Sequence, residues 1–223
     1  MGEVLGGSAL GYGAWRVFRN ACALVFIAAP GWAEPVTVAA LGDSLTAGYG
    51  LPRAQGFVPQ MQAWLDEAGA EVVLVNAGVS GDTTAGGLSR LDWTLTPDVD
   101  GLIVALGGND YLRALDPAVS GRNLDAILSG AQARDLPALL IGIEAGANYG
   151  PEFQTAFNGM YRDLARTYDV PLIPDWFDAL QAEGQDPSRL LQSDGVHPNA
   201  AGVSLIVAAM GPVLLDFVEG LEP

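Results

Sequence analysis

The sequence predicts an α/β fold, a doubly wound three-layer sandwich around a parallel sheet of about five strands. Three observations carry that prediction. Beyond residue 34, five short apolar runs alternate with segments of helical period. The runs are β-branched or leucine-rich and continuous rather than alternating, as in strands with helices on both faces. Their β-α-β-α order calls for crossover connections that wind helices onto both sides of the sheet.

Each element follows in turn. The strands are "VTVAAL" (36–41), "VVLV" (72–75), "LIVAL" (102–106), "ALLIGI" (138–143) and "VPLIP" (170–174). Phe57, Met61 and Leu65 recur every four residues between the first two. Phe153, Phe157, Met160, Tyr161, Leu164 and Tyr168 form a second stripe before the fifth strand. Both stripes are read as core. A last helix is expected from Pro198 to Met210, with Pro212 breaking or restarting it. The domain is thus expected to span residues 34–223, with no internal repeat.

Residues 1–33 have a different character. Arg16 and Arg19 precede the apolar run "ACALVFIAAPGWA", and Gly31 and Ala33 occupy the −3 and −1 positions of a cleavage site. This is the layout of a secretory signal peptide, which places the mature protein in the periplasm or outside the cell. The run is short for an uncleaved anchor, and no later stretch is expected to reach membrane-spanning length. No stable membrane anchor is therefore expected after cleavage.

Of the chain's 10 basic and 26 acidic residues, cleavage after Ala33 removes Arg16, Arg19 and Glu3, leaving a net charge of −17. No lysine occurs anywhere. Such a chain does not bind nucleic acid or anionic membranes through general electrostatics. The single cysteine, Cys22, falls in the signal segment. A disulfide, a thiol nucleophile and a cysteine-ligated metal are thereby excluded from the mature chain, and one histidine makes a poor zinc site. No cofactor is expected, and the working unit is taken to be a monomer.

In a parallel sheet, ligands bind beyond the carboxyl ends of the strands. Three of those ends carry small polar clusters: Gly42-Asp43-Ser44, "NAGVSGDTT" (76–84) and "GGND" (107–110). Singly, each has an ordinary reading. Asp43 or Ser44 caps a helix, Asp82 caps the helix at "TTAGGLSRL", the glycines serve tight turns, and Asn109 makes an Asx turn. The only histidine, His197, lies in "SDGVHPN" with Asp194 three residues upstream. A local turn lets that carboxylate accept from Nδ1, fix the tautomer and leave Nε2 for Ser44. Serine catalysis needs these parts together: a nucleophile, a base, an orienter and donors for an oxyanion.

The blocks "GDSL", "SGDTT", "GGND" and "DGVHPN", in this order, resemble those of the SGNH (GDSL) hydrolases. The resemblance is strongest to the bacterial periplasmic acyl-CoA thioesterase, arylesterase and lysophospholipase branch, and it continues through "GANYGPEFQTAFNGMYRDLARTYDVPLIP" (146–174). It implies a flavodoxin-like sheet and hydrolysis of a small acyl ester or thioester. It also implies Ser44 as nucleophile, His197 as base and Asp194 as its orienter. The oxyanion hole it implies consists of the backbone N–H groups of Ser44 and Gly81 and the side-chain amide of Asn109. Asp110, Tyr111, Leu112 and Arg113, and across from them Asn148 and Tyr149, are the substrate-binding residues it suggests. The segment 111–115 is expected to shift with substrate. Tyr111 reads equally as a surface aromatic. Two other functions fit the residues: a carbohydrate O-acetylesterase, and a non-catalytic module holding a phosphate or flavin at the first helix N-terminus.

Overall fold

The computed structural model describes residues 34–182 and 184–221; the expected signal segment lies outside them. From the N-terminus, β1 (Val36–Gly42) leads through α1 (Ser44–Ala47) and α2 (Phe57–Ala68) to β2 (Val72–Gly78). Next come α3 (Thr84–Ser89), α4 (Leu91–Thr94), β3 (Gly101–Ala105), α5 (Gly108–Leu112) and α6 (Pro117–Gln132). The chain ends with β4 (Ala138–Ile141), α7 (Pro151–Tyr168), β5 (Leu172–Ile173), α8 (Asp178–Gln181), α9 (Pro187–Leu190) and α10 (Ala200–Glu219). All five expected strands are present and pair in parallel in the order β2-β1-β3-β4-β5. This is the flavodoxin-like order, with its reversal of direction at β1 and β3.

Alternate residues of each central strand feed two separate cores, because successive side chains leave a strand on opposite faces. Val38, Ala40, Ile103, Leu139 and Ile141 meet Phe57, Met61 and Leu65 of α2 and Ile206, Met210 and Leu214 of α10. Ala39, Leu41, Leu102, Val104 and Leu140 meet Leu124 and Ile127 of α6 and Phe157 and Tyr161 of α7. Both predicted stripes are therefore core.

Three expectations need correction. First, β2 alternates: Val72 and Leu74 are buried, whereas Val73 and Val75 are 45% and 42% exposed. It is an edge strand with a helix on only one face. Second, β5 contracts to two residues, since prolines at 171 and 174 flank it and cannot donate to a ladder. Third, α10 runs through Pro212 to Glu219. A proline in a helix interior costs about 3 kcal/mol, but stopping there would expose Leu214, Phe217 and Val218, each worth about 2 kcal/mol when buried. The continuous helix is long and apolar enough to cross a bilayer by length and composition, against expectation; its buried face instead belongs to the core beside α2.

The end of β2 is held tightly against α1. Val79 N–H donates to the Gly42 carbonyl at 3.0 Å, and Asn76 Nδ2 donates to the Thr46 carbonyl at 3.1 Å. A Cβ on Gly78 would lie 2.4 Å from the Ala47 nitrogen and 2.9 Å from the Asp43 carbonyl oxygen. Backbone cannot yield as a side chain can, so Gly78→Ala should push β2 away from α1. We expect a melting temperature lower by about 5 °C and a reduced kcat. Gly159→Ala in α7, where a Cβ meets nothing within 4 Å, should instead raise the melting temperature.

Candidate active site

The first strand end turns sharply into α1, and Asp43 is its N-cap: Oδ1 accepts the Leu45 N–H at 3.0 Å. Ser44 is thus the first helical residue, not the cap. Asp43 is 2% exposed, and burial pushes its carboxyl up to about 6, against the opposing hydrogen bonds from Leu45 and Asn109. At the second strand end, Thr83 caps α3, accepting from Gly86 N–H. Asp82, the expected cap, instead pairs with Arg90 at 2.6 Å. Arg90 also donates to the carbonyls of Ala77 and Gly42, which ties the ends of β1 and β2 together.

His197 arrives from the loop between α9 and α10. That loop is closed by an antiparallel bridge between Leu191 and Pro198 and by Gln192 N–H donating to the His197 carbonyl at 2.7 Å. Gln192 Nε2 also donates to the carbonyls of Tyr49 and Pro198, which joins the loop to the segment after α1. Asn199 caps α10 through Ala201 and Gly202 N–H and donates to the Arg189 carbonyl. Proline after the histidine and asparagine after that therefore set where the turn ends and the helix begins.

Within this turn Asp194 Oδ1 accepts N–H bonds from Val196 and His197, at 2.9 and 3.0 Å. Its Oδ2 takes His197 Nδ1–H at 2.7 Å, and Nε2 lies 2.9 Å from Ser44 Oγ. The two backbone N–H groups, and then the imidazole, hold the Asp194 carboxyl down at about 2. It remains a carboxylate wherever the imidazole can act as a base. The Tyr49 ring packs on the imidazole, with centroids 4.6 Å apart.

The three expected oxyanion donors stand at the ends of β1, β2 and β3. Among the described residues, no protein acceptor takes the N–H of Ser44 or of Gly81. Gly81 has φ +87°, a conformation that suits glycine. Asn109 Nδ2 donates to Asp43 Oδ2 at 3.3 Å, leaving its second N–H for the cleft.

Ser44 and His197 open onto a cleft of about 400 Å³ that crosses the sheet edge from β1 to β5. Its apolar walls include Leu45, Leu112, Ile143, Phe177, Leu180 and Leu191, and Tyr111 adds a half-buried ring. The Tyr111 hydroxyl accepts the Gly146 N–H at 3.1 Å, so this aromatic is anchored rather than a loose surface group. The other suggested substrate residues stand elsewhere. Asp110 is 1% exposed and accepts from Thr84 N–H, Thr84 Oγ1 and Ser120 Oγ, all away from the cleft. Arg113 reaches the Gly81 carbonyl, while Asn148 and Tyr149 lie outside the lining; the Tyr149 hydroxyl donates to the Leu112 carbonyl. Sequence reasoning missed the wall contributed by Phe177, Leu180, Leu191 and the carboxylates Glu144 and Asp175. Phe177 and Leu180 lie in a segment without a motif, and only the position of β5 brings them near Ser44.

A hydroxyl, an imidazole and a carboxylate hydrogen-bonded in series, opening onto an apolar cleft, are the equipment of a serine hydrolase. The sequence profile of the GDSL-like Lipase/Acylhydrolase family matches residues 40–205, and the chain belongs to that family. It is 36% identical over 179 residues to "Esterase TesA" of Pseudomonas aeruginosa, covering 80% of this chain and 87% of the relative. It is also 36% identical over 184 residues to "Thioesterase 1/protease 1/lysophospholipase L1" of Escherichia coli K12, covering 82% and 85%. The crystal structure of AlinE4, an SGNH-hydrolase family esterase, superposes with a TM-score of 0.68 at 41% identity, covering 82% of this chain and 97% of that one. The protein is therefore an enzyme, a serine hydrolase, and not the phosphate- or flavin-binding module that the first helix alone left open.

One consequence for stability follows from Asp43. Its carboxyl ionises near 3.8 in an unfolded chain but near 6 in the fold, so the folded state binds more protons between these values. Stability therefore falls as pH rises from about 4 to 6, by roughly 3 kcal/mol at the upper end. Asp43→Asn removes this term while keeping an N-cap side chain. Relative to the wild type, its melting temperature should rise between pH 4 and pH 7.5, as read by thermal unfolding at both pH values.

Proposed function

We infer that the enzyme hydrolyses acyl esters through an acyl-enzyme on Ser44. The observation that carries this reading is the 2.9 Å contact from His197 Nε2 to Ser44 Oγ, continued by the 2.7 Å contact from Nδ1 to Asp194. His197 takes the Ser44 proton as Oγ attacks the carbonyl carbon. The N–H groups of Ser44 and Gly81 and the Asn109 amide receive the oxyanion. The tetrahedral adduct collapses with loss of the alcohol, which takes the proton from the imidazolium. Water, deprotonated by His197, then attacks the acyl-enzyme, and the acid leaves with Ser44 restored. Asp194 stays ionised throughout and stabilises the imidazolium.

The cleft supports an acyl chain of medium length. It crosses three interstrand spacings from β1 to β5, about 14 Å, and its walls are mostly apolar. This shape favours a fatty acyl ester over an acetylated sugar, which needs a small acyl pocket and a polar surround. Thioesters share the same chemistry. A polyanionic leaving group such as coenzyme A meets the mature chain's net charge of −17 (8 basic and 25 acidic residues after loss of Arg16, Arg19 and Glu3) and, at the cleft itself, Glu144 and Asp175. Neutral or zwitterionic esters fit better. The layout of residues 1–33 supports export, with the enzyme acting as a monomer in the periplasm or outside the cell.

Three measurements test this. Hydrolysis of p-nitrophenyl esters from acetate to palmitate should peak at medium chain length and vanish in Ser44→Ala; a maximum at acetate would move the reading to a deacetylase. Asn109→Ala should lower kcat by about 10² to 10³, the effect of removing one oxyanion donor. With a medium-chain acyl-CoA, KM should fall as salt is raised, because screening relieves the repulsion.

A further inference from the structure

Three donors for one oxyanion stand on three separate loops, so something has to hold them in common register. A displacement of a few tenths of an ångström at any of them weakens the set. Two side chains outside the Ser–His–Asp series meet that need by their geometry. Asp43 Oδ1 accepts the N–H of Leu45, next to Ser44, and its Oδ2 accepts Asn109 Nδ2 at 3.3 Å. On the far side of the same carboxamide, Arg113 Nη2 lies 3.5 Å from Asn109 Oδ1 and donates to the Gly81 carbonyl at 2.9 Å.

We propose that Asp43 and Arg113 are positioning residues that clamp the Asn109 carboxamide from its two ends and, through Gly81 and Leu45, align all three oxyanion donors. This rests on the acyl-hydrolase reading above. The clamp acts on orientation. A carboxamide has an acceptor end and a donor end, and it can rotate by 180° at little steric cost. Here the oxygen faces a guanidinium and the nitrogen faces a carboxylate. Rotation would set oxygen against carboxylate and N–H against guanidinium, both repulsive. One Asn109 N–H is spent on Asp43, which leaves the other held in a single direction.

Two further features agree. Gly108 precedes Asn109, and a Cβ there would come 3.1 Å from Asp43 Oδ2, so a side chain at this position would press the carboxylate back by a few tenths of an ångström. Asp43 is also costly to bury: its carboxyl is pushed up to about 6. An Asn or Ser would cap α1 as well without that cost. Retaining a buried carboxylate is intelligible where an acceptor-only group must face Asn109 Nδ2.

The test uses p-nitrophenyl ester kinetics on Arg113→Met, Asp43→Asn and Asn109→Ala, and on each of the first two combined with Asn109→Ala. Arg113→Met keeps the stem of an exposed side chain and leaves folding intact. Asp43→Asn places a second carboxamide against the first. Each should lower kcat about tenfold or more, with KM within about twofold and no loss of melting temperature. Combined with Asn109→Ala, each should cost clearly less than alone, since the group it orients is gone. Unchanged kcat in Arg113→Met, or an undiminished cost in the Asn109→Ala background, would overturn the proposal. Ser44→Ala separates the two readings. Residual turnover there would sink the acyl-enzyme itself, whereas inert Ser44→Ala with fully active Arg113→Met would sink only the clamp.

Discussion

Gly42 lies opposite Gly78 of β2 on one side and opposite Ala105 of β3 on the other, because β1 is hydrogen-bonded in parallel to both. Everything chemical in the molecule depends on that shared register. Parallel pairing makes the strands end together, so the three loops that follow them start from one line although far apart in sequence. Arg90 reinforces the line by donating to the carbonyls that close β1 and β2. The close approach of β2 to α1 at Gly78 then leaves the Ser44 and Gly81 loops side by side.

The fold places two carboxylates near Ser44 in opposite environments. Asp194 sits in a tight turn with two backbone N–H groups and the imidazole, and is held ionised at about 2. Asp43 is enclosed at the sheet edge and is pushed up to about 6. Environment alone separates their roles, as it does for carboxylate pairs in other enzymes. The first holds the His197 imidazole at little cost to folding. The second weakens the fold at neutral pH, because burial disfavours its charged form.

The cleft is built differently from the reacting groups. Serine, histidine and aspartate sit on short, well-bonded turns. The apolar walls come instead from the ends of β4 and β5 and from α8, including Ile143, Phe177 and Leu180. The aromatic group of Tyr111, Tyr149, Phe153 and Phe157 backs one wall, with Tyr111 at its centre. The apolar walls and the Ser–His–Asp series are thereby carried on separate parts of the chain, so the shape of the cleft can change without disturbing the series.

Much of this was written in the sequence. Five apolar runs and two helical stripes determined the strands and the core, since burial on both faces of a parallel sheet requires unbroken apolar residues. The Asp194–His197 spacing determined a turn in which carboxylate and imidazole must meet, because contacts over three residues are local. Long-range facts were of another kind. That α10 passes through Pro212 depended on what its last turns could bury. That β2 stands at the edge, leaving Val73 and Val75 exposed, depended on strand order. That Asp110 turns inward to Thr84 and Ser120 while Asp43 faces Asn109 depended on which loops the sheet brings together. Local pattern reports what a segment can form; only the assembled sheet decides which segments become neighbours, and the direction of every side chain at the site follows from that.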